Sequence, residues 1–446
     1  MVRSPLLAAG VAGALFVATP ALACEQGHPG GPTATSEVRQ AGAPGPDGGK
    51  SSGAELVGSV PEAKGAIAVN FLSYRDGREI MLVSGEFGLK SYDIGADPEN
   101  PRLVGELNLP GLWETEDTEV DAKRKYVFLA RDPRAFGGDV TTGESGIYIV
   151  DARDPADLRI ISFTNVPAGH TTSCVNDCKY LYTGGPARAA SMPADWGGRP
   201  IWVTDVRNPA KPKVFPNPID TGRNDGKTDY VHDVQVDSTG IAWVSGRGGV
   251  RGYWTSGFHR DPLTKRFRRA TAPDPVPYAG GKINETSVTS AFMHNSYRPV
   301  GNDAEAPGDG RYVYITEETF VDGCAGDGAL VIASLDGSFE GQGWRSTPEN
   351  PFRLKTVGTW RVDGQEGSDP GSASCSAHYF DVRDDILVQS FYEQGTRFID
   401  VSDPANPRQV AYHRAGDAQS WQPKWQDGLV YVADNERGID ILRLDR

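Results

Sequence analysis

Four histidines stand in similar short contexts: Ala168-Gly169-His170-Thr171, Tyr230-Val231-His232-Asp233, Phe292-Met293-His294-Asn295 and Ser376-Ala377-His378-Tyr379. Each precedes or opens a segment with strand-like alternation. Neutral imidazole is the commonest side-chain ligand of zinc, copper and iron, so four of them brought to one point would define a transition-metal site. The remaining histidines, His28, His259 and His413, fall in unrelated contexts. Whether the four meet depends on the elements that carry them.

Those elements repeat. Segments starting at Ser91, Ile149, Val203 and Phe398 each run a strand into an aspartate (Asp93, Asp151, Asp205, Asp400), and an Asp-Pro or Asn-Pro follows three or four residues later. Proline fixes φ and removes a backbone donor, so the strand must stop and the chain must turn before the next apolar strand. Degenerate copies run through Gly249–Trp254 and Ala329–Ser334, and a last one through Gly438–Leu442. Two further short strands precede each copy, as in Thr118-Glu119-Val120-Asp121 followed by Tyr126-Val127-Phe128-Leu129. Four strands per unit and seven units predict an all-β, seven-bladed β-propeller of four-stranded antiparallel blades over 54–446. The last unit ends one strand short. The segment from Ala54, Ala-Glu-Leu-Val-Gly-Ser-Val, resembles that from Pro101 and supplies the missing outer strand, so the N-terminus is expected to close the ring.

The D-x-x-[DN]-P segments resemble the LVIVD-repeat family of secreted β-propellers, over the chain from about residue 54 to its end. The resemblance implies the propeller fold and export, and ties the chain to no single activity.

On this register His170, His232, His294 and His378 occupy one position, the start of the first strand of blades 3 to 6. In a propeller that strand lines the central channel, so the four side chains converge on its axis. Glu116 joins them, because Glu116-Asp117 in the stretch from Thr115 aligns without a gap with His232-Asp233. Blades 1 and 7 offer Asn70 and either Trp421 or Gln422 nearby. The candidate metal ligands are therefore His170, His232, His294, His378 and Glu116, with zinc, iron or copper as the metal. A metal held by four neighbouring blades would keep an open position towards blades 7, 1 and 2, where Glu116 would serve as ligand or base. Asp233, on the opposite strand face, is expected to pack or hydrogen-bond between blades. Seven-bladed carotenoid oxygenases hold iron with four histidines from separate blades, a fold-level analogy showing that this geometry is feasible. The plainer alternative is that the histidines only fill a polar channel.

The amino terminus has the layout of a signal peptide over residues 1–23: Arg3, an apolar run from Leu6 to Val17, and the exit Ala21-Leu22-Ala23. The chain is expected to be secreted. Lipid anchoring through Cys24 is the alternative, disfavoured because Leu22 sits one position late for a lipoprotein signal. Residues 24–53, rich in Gly, Pro and Ser, read as a disordered tether. No later apolar run is long enough to span a bilayer.

In an oxidising compartment the four remaining cysteines are expected to pair by proximity, Cys174 with Cys178 and Cys324 with Cys375; an inward Cys174 thiolate ligand is the alternative. A formal net charge of −14 argues against a nucleic-acid partner, and the basic run from Lys265 to Arg269 reads as a solvated turn. Long insertions from Pro186, from Gly301 and from Asp336 to Pro351 are candidates for ligand contact. Three functions remain open for a chain expected to be a monomer. It is a module binding an extracellular ligand or protein and carrying a metal site, a metal-dependent hydrolase or oxidoreductase, or a scaffold without chemistry.

Overall fold

A computed structural model describes residues 49–109, 116, 118–134, 143–185, 200–221, 231–246, 249–261, 264–279, 292–301, 308–318, 324, 328–338, 345–346, 354–372 and 375–445. The expected signal peptide, Cys24, most of the tether, the loop from Pro186, Asp117 and parts of the other two insertions lie outside the described residues.

Seven four-stranded antiparallel sheets form the blades of a β-propeller. From the axis outwards, blade 1 is Ala66–Ser73, Glu79–Gly85, Gly88–Asp93 and Arg102–Asn108. The inner strands of blades 2 to 7 are Thr118–Asp121, Thr171–Val175, Val231–Val236, Phe292–Tyr297, Phe380–Arg383 and Ser420–Gln426. Blade 7 takes its outer strand from the other end of the chain: Ala54–Val60 pairs with Gly438–Leu444. That closure joins the termini as the repeat predicts. One expectation needs correction, since the sheet begins before Ala54. Lys50–Ser52, inside the segment read as tether, adds a fifth strand to blade 6 by pairing with Arg408–Arg414. Its polar residues carry no strand pattern, and the neighbouring edge supplies the order.

The core lies between the blades. Leu82 and Leu89 of blade 1 pack with Val127 and Leu129 of blade 2, and Phe128 and Ile149 pack with Leu181 and Trp202 of blade 3. Similar clusters follow around the ring, to Met81 and Val83 of blade 1 against Tyr431 and Ile439 of blade 7. Second and third strands such as Glu79–Gly85, Gly88–Asp93 and Tyr126–Arg131 are buried on both faces, which explains their near-continuous apolar runs, while the outer strand Arg102–Asn108 is largely exposed.

The repeat signature also has a packing reason. In the outer strands of blades 7, 1 and 5 one residue, Val57, Val104 or Val357, is bulged out of the ladder and a glycine follows. A Cβ on Gly58, Gly105 or Gly358 would overlap the carbonyl oxygen of Glu99, Pro155 or Pro404, residues of the proline turn in the next blade. In blade 2 the bulge at Ile161 is followed by Ser162, whose hydroxyl donates to the Pro209 carbonyl at 2.7 Å. The proline turn of one blade thus docks on the bulge of the preceding one, and a small residue there permits the approach.

Two disulfides are formed, Cys174–Cys178 and Cys324–Cys375, with Cα atoms 4.5 and 4.8 Å apart. The pairing by proximity holds, and Cys174 is not free to be a thiolate ligand. No helix among the described residues is long and apolar enough to cross a membrane.

Candidate metal centre

The inner strands deliver the expected side chains to one end of the channel. His232 is the second residue of Val231–Val236 and His294 the third of Phe292–Tyr297. Both sit in bulges, where the strand register shifts between Val231 and Asp233 and between Met293 and Ser296. A bulge re-aims the extra side chain, here towards the axis. His170 and His378 lie just ahead of their strands and extend them by one ladder bond each, from His170 N to the Gly184 carbonyl and from His378 N to the Ser390 carbonyl. Glu116 precedes Thr118–Asp121 by two residues.

All five side chains meet, each no more than 1% exposed. The Glu116 carboxylate lies 3.2 Å from His170 Nε2, 3.3 Å from His232 Nε2, 3.2 Å from His294 Nε2 and 3.7 Å from His378 Nε2. The Nε2 atoms of His170 and His232 are 2.8 Å apart. Neither Glu116 oxygen has a hydrogen-bond partner of ordinary geometry among the described residues, and neither has His378 Nε2. Glu116, His232 and His294 bring ligand atoms within 4.8 Å of one another, as do His294, Glu318 and His378.

The far side of three rings fixes their tautomers. His170 Nδ1 is 2.9 Å from Asp132 Oδ2, His232 Nδ1 is 3.1 Å from the His294 carbonyl, and His378 Nδ1 is 2.7 Å from the Trp421 carbonyl. These oxygens accept, so each Nδ1 carries a proton, and a ring so held, when neutral, turns an Nε2 lone pair inwards. Burial opposes ionisation of Asp132, but the Arg134 guanidinium, 2.8 Å away, outweighs it and holds the carboxyl well below the usual range.

Charge state follows from the same surroundings. Burial, helped by neighbouring His294, pushes His232 well below the ordinary imidazole value and lowers His378. Burial also opposes ionisation of Glu116, yet the positive charge available on His170, His232 and His294 overcomes it and holds the carboxyl well below its ordinary value.

Three sequence expectations need correction. Blade 1 places Ile67, not Asn70, at the bulged position, and of the two residues offered by blade 7 it is Trp421 that stands there. Asn70 and Gln422 make backbone bonds instead, Asn70 Nδ2 to the Thr118 carbonyl and Gln422 Oε1 from Val69 N, each at 2.7 Å. The side towards blades 7 and 1, expected to be open, is a wall of Ile67, Tyr392 and Trp421. Asp233 finds its hydrogen-bond partner in its own strand, Gln235 Nε2 at 3.0 Å, and burial pushes its carboxyl up to about 6.

Two polar residues were not singled out from sequence. Asp132 follows the second strand of blade 2, Tyr126–Arg131, and Glu318 ends that of blade 5, Tyr312–Glu318. Glu318 accepts from the Tyr392 hydroxyl at 2.6 Å, and its other oxygen lies 4.0 Å from His294 Nε2. The available signal was an acid closing a second strand at the channel end where the histidines gather.

No family model and no curated protein matches the chain. Among solved structures it is similar to the periplasmic gluconolactonase of Pseudomonas aeruginosa, at 15% identity over 82% of this chain and 88% of that one, with a TM-score of 0.47. A protein from Lactobacillus plantarum is similar at 10% identity over 78% and 84%, with a TM-score of 0.46. The hydrazine synthase of Kuenenia stuttgartiensis is similar at 11% over 86% and 96%, also with a TM-score of 0.46. These likenesses carry no activity over to this chain.

Proposed function

We propose that the protein is an exported, LVIVD-type propeller module whose axial cluster holds a transition metal through Nε2 of His170, His232, His294 and His378 and through the Glu116 carboxylate. The observation that carries this reading is the commitment of three Nδ1 atoms to acceptors. It leaves inward lone pairs and a carboxylate facing one another in a dry space. A cation is what such a set lacks. The spacings of 3.2, 3.3 and 3.2 Å from Glu116 to His170, His232 and His294 lie within the roughly 3.0–3.5 Å ligand separations that metal bonds of about 2.1 Å produce, and His378 at 3.7 Å lies just beyond them. Structural zinc is nearly always four-coordinate, so five converging donors favour iron or copper.

When bound, the metal would supply a Lewis acid and, as iron or copper, an electron-transfer centre. The chain's own residues do the rest. Asp132 and the two carbonyls orient the rings, and Ile67, Tyr392 and Trp421 exclude water from one flank. Export rests on the signal layout and agrees with the two disulfides.

A second reading, a metal-dependent enzyme, is favoured by one observation. Glu318 and the Tyr392 hydroxyl form a buried hydrogen-bonded pair beside His294 and His378, which a purely structural metal does not require. Calorimetric titration of chelator-stripped protein with iron(II), copper(II) and zinc(II), each alone, tests the primary reading. Tight one-to-one binding of one of them supports it, and absence of tight binding by all three refutes it. Oxygen uptake or ester hydrolysis by loaded protein, lost in Glu318→Gln while the metal stays bound, would establish the second.

A further inference from the structure

Blade 4 carries an insertion between its third and outer strands, a two-stranded hairpin of Phe258–Arg260 and Phe267–Arg269. Phe258 is 67% exposed and Phe267 is 64% exposed, well above the other large apolar side chains among the described residues, of which the next is Ile160 at 43%. Cross-strand pairing sets Phe258 opposite Arg269 and Arg260 opposite Phe267. Side chains alternate along a strand, so these four share one face, and all four are exposed. The two phenyl rings lie side by side, centroids 6.0 Å apart and nearly parallel at 16°.

The opposite face fastens the hairpin to the blade. His259 stacks on Trp254 with ring centroids 4.1 Å apart, and Arg268 pairs with Asp261 at 3.0 Å and with Asp274 at 2.9 Å. The outward rings are therefore held out by a braced platform. Arg260, Lys265, Arg266 and Arg269 have no carboxylate within ion-pair distance among the described residues, in a chain of net charge −14. The basic run expected to be a solvated turn is thus half of a surface that alternates phenyl and guanidinium.

We propose that this hairpin is an interfacial docking site for a bilayer rich in anionic phospholipid. Phe258 and Phe267 enter the acyl boundary, and Arg260, Lys265, Arg266 and Arg269 pair with headgroup phosphates. Charge complementarity selects the partner: Arg260 and Arg269 lie on the face that carries the phenyl rings, with Lys265 and Arg266 in the exposed turn beside it, while the protein as a whole is acidic and is repelled from an anionic membrane elsewhere. Rings without a polar atom suit the acyl boundary better than the hydroxyl-rich face of a polysaccharide. The proposal does not depend on the metal.

The test is co-sedimentation of the exported chain carrying Cys24→Ser, which cannot be acylated, with vesicles of phosphatidylglycerol and phosphatidylcholine or of phosphatidylcholine alone. Binding is expected on the anionic vesicles, at least about tenfold above the neutral ones and weakened by salt. Phe258→Ala with Phe267→Ala, and separately Arg260→Glu with Arg269→Glu, should each lower it by about tenfold, with unchanged circular dichroism. No binding by the parent chain to anionic vesicles overturns the proposal, as does equal binding by either double variant. It is also overturned if the phenylalanine variant abolishes self-association and leaves vesicle binding intact, or if dextran sulfate is bound equally well by parent and phenylalanine variant while vesicles are not bound.

Discussion

The Nε2 atoms of His170 and His232 face each other at 2.8 Å while each ring turns its Nδ1 to an acceptor, Asp132 for one and the His294 carbonyl for the other. When both rings are neutral they oppose lone pair to lone pair, a contact that a cation between them would relieve.

Acid sensitivity follows. Burial and His294 depress both His232 and His378. Below about pH 6.5 an unfolded chain takes up protons that these folded rings refuse, so unfolding binds protons and stability falls as pH drops. The depressed Glu116 acts in the same direction below its ordinary value. Melting temperatures of metal-free protein, compared with His232→Asn and His378→Asn variants, should show a steeper parent decline from about pH 7 to 5. Parallel curves would contradict this.

Glu116→Gln keeps the volume and removes the charge. Metal affinity should fall at least about tenfold, because a charged donor is lost from the set. Calorimetric titration of the folded variant reads the effect, and an affinity equal to the parent's would remove Glu116 from the ligand set.

Asp132 touches His170 at the ring nitrogen facing away from the cluster. Asp132→Asn should weaken metal binding by about 10- to 100-fold through loss of ring orientation, with the fold retained. Unchanged affinity would separate Asp132 from the centre.

The bulge-and-turn contact between blades gives a prediction remote from the site. Gly105→Ala and Gly358→Ala should each cost about 1–3 kcal/mol in denaturant unfolding, because the added carbon meets the backbone of Pro155 or Pro404. Metal binding by the folded variants should stay as in the parent.

Much of the architecture was legible because it is written locally. A proline turn after Asp93, Asp151, Asp205 or Asp400 stops a strand wherever it occurs, and the likeness between the segments at Ala54 and Pro101 located the closing strand. The convergence of His170, His232, His294, His378 and Glu116 was legible for the same reason, since equivalent blade positions face one axis. Ile67 was not, and Trp421 and Gln422 were left undecided, because a bulge shifts the register by one residue and alternation cannot be extrapolated through it. Asp132 and Glu318 arrive from second strands, so their approach depends on tertiary pairing. The exposed pair of Phe258 and Phe267 depends on cross-strand register in an insertion that the repeat does not describe.

The most direct test of the central claim is elemental analysis of untagged protein purified without chelators, beside His232→Ala prepared in the same way. The cluster predicts about one iron or copper per parent chain and almost none in a folded His232→Ala chain. A parent chain that holds no transition metal even after reconstitution, or a His232→Ala chain with the parent's metal content, would contradict it.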